Sequence, residues 1–304
     1  MAELIEPVFS HFCAFAKAQI ASGDLDPTYP VLKRLYADEG LPPEIALWRT
    51  FLYVTFYNLH SAEVAWSRYP KPQFIEDPLT LPTGIERRGF RGNDKARHHI
   101  NALFYVIAKK GLPGWISAFI DWAPDGKPTD AKHKWAVVRQ VFQMLPGGGE
   151  WSSYKWADLL KNVHGYPITA NNIGVGGASK TAGPVCGMVR ITGASWKQCA
   201  ADVVLQQEVH DEAVKRGVPF NGLDQFETAC CDFNSLSKGA YYVGHDIDTQ
   251  QEHVAQCSEA MKRARLASFP RQYLGEFGGW TGVRKELKTL YKDTGQISVL
   301  PEAA

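Results

Sequence analysis

The chain has 304 residues, 45% of them hydrophobic and 21% charged, with a net charge of +1. That length allows a well-buried core in one large domain or two small ones. A near-neutral balance excludes a protein that grips nucleic acid by overall basicity, so any such surface must come from local clustering. No run of about 18 uncharged apolar residues occurs, so no transmembrane helix and no membrane partner are expected. Glu3 and Glu6 stand where a signal peptide would carry basic residues. The six cysteines are Cys13, Cys186, Cys199, Cys230, Cys231 and Cys257. None forms a Cys-x-x-Cys pair, so no zinc or iron–sulfur site is expected, and scattered thiols fit a reducing cytoplasm.

Helical periodicity dominates. Leu4, Ile5, Val8, Phe9, Phe12, Phe15 and Ile20 recur at helical spacing over 3–22. Pro42-Pro43 opens a longer apolar helix over about 44–68, since proline suits the first helical positions. Residues 70–84 hold four prolines and read as a loop. Helices are expected over 94–110, 112–122 and 131–144, then over 151–163 after a glycine turn at 147–149. The stretch 165–187 is glycine-rich and irregular. Helices resume at about 195–216, 223–237, 246–267 and 281–292, with short strand signals only at 188–191 and 241–243. The expected fold is mainly α with long glycine-rich loops: one helical domain, or two lobes of about 1–144 and 145–304.

Four segments carry candidate chemistry. Residues 145–157 read Leu-Pro-Gly-Gly-Gly-Glu-Trp-Ser-Ser-Tyr-Lys-Trp-Ala. A glycine turn between helices can press its N–H groups against a phosphate, because no side chain intervenes. The DNA-facing candidates here are Gly147, Gly148, Gly149, Trp151, Ser152 and Lys155. Residues 84–99 set Arg87, Arg88, Arg91 and Lys95 among glycines before a helix, a pattern suited to phosphate or carboxylate. Residues 174–187 echo a phosphate-binding loop around Lys180-Thr181, but Ser179 replaces the expected glycine and no clear hydrophobic strand precedes it. Asn171 and Asn172, just upstream, join Lys180 as substrate-binding candidates. The block 226–248 gathers Glu227, His245, Asp246 and Asp248 around a Tyr-Tyr-Val-Gly turn. Asp246 and Asp248 also suit a helix N-cap and first turn. His245-Asp246 and His210-Asp211 are dipeptides seen in metal phosphohydrolases, yet a metal site needs ligands from several helices. No resident metal and no cofactor are expected.

The hairpin resembles that of helix-hairpin-helix DNA glycosylases over about 140–175, including Gly165-Tyr166-Pro167 where those enzymes carry a Gly-x-Pro. The chemistry departs from the pattern. Thr169-Ala170-Asn171-Asn172 replaces the glycosylase aspartate, and Glu150 or Trp151 fills the lysine position. The hairpin, the Arg-rich loop and the 227–248 block together resemble the phage amino acid:DNA transferases, grouped with the α-glutamyl/putrescinyl thymine pyrophosphorylases. That resemblance implies a glycosylase-derived helical scaffold acting in an infected bacterial cytoplasm. The partners it implies are double-stranded DNA with a modified thymine, a free amino acid, and a kinase that first phosphorylates 5-hydroxymethyluracil. The implied reaction replaces the phosphate with glycine or serine and shields the DNA from restriction. Under it, Asp246 or Asp248 serves the amine, and Arg87, Arg88, Arg91 and Lys95 serve the phosphate, the two clusters facing one pocket. A glycosylase or lyase, a non-catalytic DNA-binding module and a metal phosphohydrolase are the alternatives.

Overall fold

The structure is a computed structural model that describes residues 4–90, 94–107, 110–120, 130–174, 182–269 and 274. Among the described residues it is mainly helical, without a strand. The helices are α1 (Glu6–Ser22), α2 (Thr28–Asp38), α3 (Pro43–Phe56), α4 (Leu59–Arg68), α5 (Lys95–Ile107), α6 (Gly111–Ile120), α7 (Ala131–Gln143), α8 (Glu150–Asn162), α9 (Gly183–Thr192), α10 (Trp196–Ala201), α11 (Val203–Lys215), α12 (Leu223–Leu236), α13 (His245–Val254) and α14 (Glu259–Ser268). A 3₁₀ turn spans Ile85–Phe90. No described helix is long and apolar enough to cross a membrane. All six cysteines are free thiols.

The mainly α expectation holds, with local corrections. The strand expected at 188–191 lies inside α9, and 241–243 is a turn. The long helix expected over 44–68 breaks at Tyr57, which sits in the left-handed region (φ +47°), and restarts at Asn58, whose side chain accepts the Ser61 N–H. The helix expected over 195–216 breaks at Asp202, whose carboxylate caps α11 by accepting the N–H groups of Val204 and Leu205. Both breaks follow from side chains that prefer capping to mid-helix positions. The helix α2 escaped the periodicity reading. The helix expected over 281–292 lies outside the described residues.

Contacts divide the chain into two compact units that interleave in sequence. The first comprises Met1–Thr28, Ala170–Glu252 and Leu266–Ala304; the second comprises Tyr29–Thr169 and His253–Arg265. In the first unit α1, α9 and α12 pack together. Phe12 meets Phe226 and Phe233 edge-on, and Phe15 meets Tyr241 in the same way. Gly183 and Gly187, one turn apart on α9, face Cys231 and the Cys230 carbonyl so closely that an added methyl group would collide. These two glycines therefore let α9 and α12 approach backbone to backbone. In the second unit α3 is the central helix. Every residue from Ala46 to Phe56 is buried, as an all-round apolar helix requires. Phe51 packs on Trp48, His99, Phe142 and Trp156.

Candidate functional site

The glycine turn belongs to the second unit and joins α7 to α8 at the surface, where Pro146, Gly147 and Gly149 are exposed. Its shape is set from within. The Gly148 N–H closes a turn onto the Leu145 carbonyl at 2.8 Å. Gly147 adopts φ +80°, a left-handed conformation that favours glycine. The Gly149 N–H donates to Ser152 Oγ at 3.0 Å, which buries Ser152 as a cap of α8.

The Arg-rich loop is part of the same structure. Arg87 is buried, donating Nε–H to the Thr55 carbonyl and an Nη1 proton to the Gly147 carbonyl, with its guanidinium 3.9 Å from the Phe90 ring centre. Burial pushes its pKa down to about 10. His99, on α5, holds the adjacent Pro146 carbonyl at 2.7 Å. Two side chains thus clasp the two consecutive carbonyls of the hairpin. Arg87 commits Nε and Nη1 to backbone carbonyls, and its Nη2 is buried without a partner, so it presents no exposed fork to a phosphate. Lys95, the first residue of α5, is exposed. The side chain of Arg88, and all of Arg91 and Lys180, lie outside the described residues.

The remaining hairpin candidates divide. Trp151 is half-buried and packs edge-on against Tyr57, 4.6 Å between centroids. Lys155 is buried, its ammonium 3.5 Å from the Asp158 carboxylate, so it serves the interior. Asn171 and Asn172 are half-buried members of the first unit. The Asn172 side chain accepts the Gly174 N–H, and the buried Asn171 Oδ1 has no partner.

The acidic block belongs to the first unit and turns on a residue the motif reading did not single out. Asp24 is completely buried. Its Oδ1 accepts the N–H groups of Asp246 and Ile247, each at 3.0 Å, and its Oδ2 accepts the Gly244 N–H and the Tyr241 hydroxyl. Asp24 therefore caps α13 from a distance, consuming donors that an anion at that helix end would otherwise use. Asp232, also buried, accepts from the Gln19 amide at 2.5 Å, and the same amide nitrogen reaches the Tyr241 oxygen at 3.1 Å. Burial first, and then the nearby Asp246 charge, push Asp24 up to about 7 and Asp232 well above the usual carboxylate range.

Asp246 is the open member, with 37% of its side chain exposed, and it sits 3.0 Å from His245 Nδ1. Asp248 is buried and receives the Tyr242 hydroxyl at 2.6 Å. Glu227 is buried, with Thr228 bridging it to Asp26. Four carboxylates, Asp24, Asp26, Asp232 and Asp246, thus act on one another electrostatically. No group of three or more metal-ligand side chains with metal-holding geometry occurs among the described residues.

Asp246, Asp248, His245 and Glu227 were legible because they crowd one short stretch. Gln19, Asp24, Asp26 and Asp232 were not, because the partners of Gln19 and Asp24 lie more than 200 residues away. The Arg-rich loop belongs to the second unit and the acidic block to the first.

Comparison with known proteins places these features in a family. No curated protein matches the chain. A family model described as amino acid:DNA transferase matches residues 20–242. The match takes in the Arg-rich loop, the glycine hairpin, Asp24, Asp26, Glu227, Asp232 and Tyr241, and it ends just before His245. It spans well over half of the 304 residues. The chain belongs to the amino acid:DNA transferase family.

Proposed function

We propose that the chain joins the amino group of a free amino acid, glycine or serine, to the exocyclic methylene carbon of 5-hydroxymethyluracil in DNA, displacing a phosphate placed there by a kinase. The amine nitrogen forms the new bond to carbon. The carbon–oxygen bond to phosphate breaks, and its electron pair leaves with the phosphate. An amine is protonated at pH 7, so it must lose one proton before attack and a second after it. Asp246 is the group for this task, because it is a carboxylate with solvent access at the edge of an anionic cluster. That partial exposure of Asp246 above buried Asp24 and Asp232 is the observation that carries the reading.

The target carbon is on a base, so the nucleotide is flipped out of the duplex to reach the site. Cations and N–H groups must stabilise the leaving phosphate. Lys95, Arg88, Arg91 and Lys180 are assigned to this role, and Arg87 is not, because its guanidinium is buried against backbone carbonyls. The exposed hairpin backbone at Gly147 and Gly149 is assigned to the DNA backbone, a contact that positions without reading sequence. The product would be a hypermodified thymidine, made in an infected bacterial cytoplasm and protective against restriction. Glycosidic cleavage has less support, since Thr169-Ala170-Asn171-Asn172 offers no carboxylate for it.

The test is mass spectrometry of nucleosides after incubating the protein with phosphorylated hydroxymethyluracil DNA and each amino acid in turn. A nucleoside with the mass of hydroxymethyldeoxyuridine plus the amino acid minus one water, formed with release of one phosphate, is the expected result. Unchanged nucleosides with every amino acid, or abasic sites in their place, would overturn the assignment.

A further inference from the structure

The first unit buries Asp24 (0% exposed) and Asp232 (8%) beside Asp246, and no lysine or arginine among the described residues pairs with any of the three within 4 Å. Like charges gathered in a low-dielectric interior are costly unless a cation joins them. The hydrogen-bond inventory is unbalanced in the same direction. Three backbone donors at the α13 N-terminus, the N–H groups of Gly244, Asp246 and Ile247, go to Asp24, and the His245 N–H goes to the Tyr242 carbonyl. The Gln19 side chain, completely buried, donates its amide protons to Asp232 and Tyr241, while its Oε1 on the same carbon has no partner. A buried amide carbonyl left without a donor is itself costly. The cluster is therefore rich in acceptors, one of which, Gln19 Oε1, has no donor.

We infer that Gln19 Oε1, Asp232, Asp246 and Asp26 form a binding site for a primary ammonium group, with Asp24 as the positioning residue that holds the 241–247 turn over it. An ammonium carries three N–H donors and one positive charge, which answers both deficits at once. A guanidinium is a poorer match, since its five donors and planar fork exceed one open amide oxygen and the carboxylates beside it. Asp246 and His245, 37% and 29% exposed in their side chains, give the site its opening to solvent. This rests on the proposed reaction, deepening it by assigning the amine-holding residues, none of which except Asp246 stood out in the sequence.

The test measures binding apart from chemistry. Methylammonium chloride, glycine and sodium acetate are titrated into the whole chain, alone and with a phosphorylated hydroxymethyluracil duplex, and followed by NMR of each probe's carbon-bound protons. Methylammonium and glycine should bind saturably and compete with each other, and acetate should not compete. Asp232→Asn and Asp26→Asn should each weaken methylammonium binding about tenfold or more, as loss of one charge partner does. Asp38→Asn, an exposed carboxylate paired with Arg34, should leave it unchanged. The second cluster variant guards against misfolding of the first, because Asp26 is only half-buried. Absence of saturable methylammonium binding under both conditions would overturn the inference, as would parental affinity in a folded cluster variant. Intact ammonium binding with no nucleoside product would instead overturn the proposed reaction and leave this site standing.

Discussion

The three glycines of the hairpin look interchangeable in the sequence and are not. A Cβ on Gly147 would lie 2.6 Å from the Phe90 ring, at φ +80°. One on Gly148 would strike the Phe142 carbonyl. One on Gly149 would meet nothing within 4 Å, at an ordinary φ of −88°. Gly147→Val, a natural choice from the motif, therefore confounds folding with binding. Gly149→Ala is the clean probe. It should cost under about 1 kcal/mol in stability, as a change at an N-cap, and should weaken DNA binding similarly on unrelated duplexes. Gly147→Ala should instead cost about 1–2 kcal/mol from backbone strain alone. Fluorescence anisotropy on two duplexes, with thermal melts of each variant, separates the effects. Undiminished affinity in Gly149→Ala would remove the hairpin from the DNA face. The sequence shows a turn here, but which glycine the fold itself needs depends on Phe90, 57 positions away in the chain and unreadable from the motif.

At the level of elements, legibility followed locality. Helix existence was readable from apolar spacing, because each stripe must bury one face. Boundaries failed where a single residue changed the backbone, as at Tyr57 and Asp202, and the strand signal at 188–191 failed because a short apolar run does not tell a strand from a buried helix. The Arg-rich loop reads as an anion grip, yet Arg87 and His99 are the clasp that fixes the hairpin between α7 and α8. That clasp predicts a pH dependence. Burial, assisted by the Arg87 charge, lowers His99 from 6.5 to about 3. Above about pH 6.5 it is neutral in both folded and unfolded chains. As pH falls, the unfolded chain takes up a proton that the folded chain refuses until about pH 3, so stability is lost across that window. Asp24 works in the opposite sense between 3.8 and about 7, where the folded chain holds a proton and stability falls as pH rises. A variant isolates the histidine. His99→Gln keeps a donor for the Pro146 carbonyl and cannot titrate. From pH 7 to pH 5 it should lose less stability than the parent, by up to about 2 kcal/mol, in urea unfolding at each pH. Equal losses would mean that His99 is not held neutral.

For the whole molecule the central fact is a near-neutral protein with a polyanionic substrate. With a net charge of +1, the chain cannot draw DNA by its overall field, and the cluster around Asp246 repels phosphate wherever the two approach. DNA affinity and amine chemistry should therefore separate experimentally. Asp246→Asn removes one exposed negative charge and keeps the N–H that Asp24 accepts, so the α13 cap survives. DNA binding should stay the same or tighten slightly, and should weaken with added salt along a line close to that of the parent, because no phosphate contact has been lost. Product formation should fall by roughly 10²-fold or more, as when a general base is removed. If Asp246 acts on the amine, part of the lost rate should return at higher pH, where more of the amino acid is already deprotonated. Measuring binding isotherms at several salt concentrations beside turnover at two pH values distinguishes three outcomes. Lost turnover with parental binding and recovery at high pH supports Asp246 as the base. A parallel loss of binding and turnover would make Asp246 a structural residue of the DNA-binding surface. Parental turnover would refute the role outright and direct attention to Asp248, whose carboxylate is buried against the Tyr242 hydroxyl.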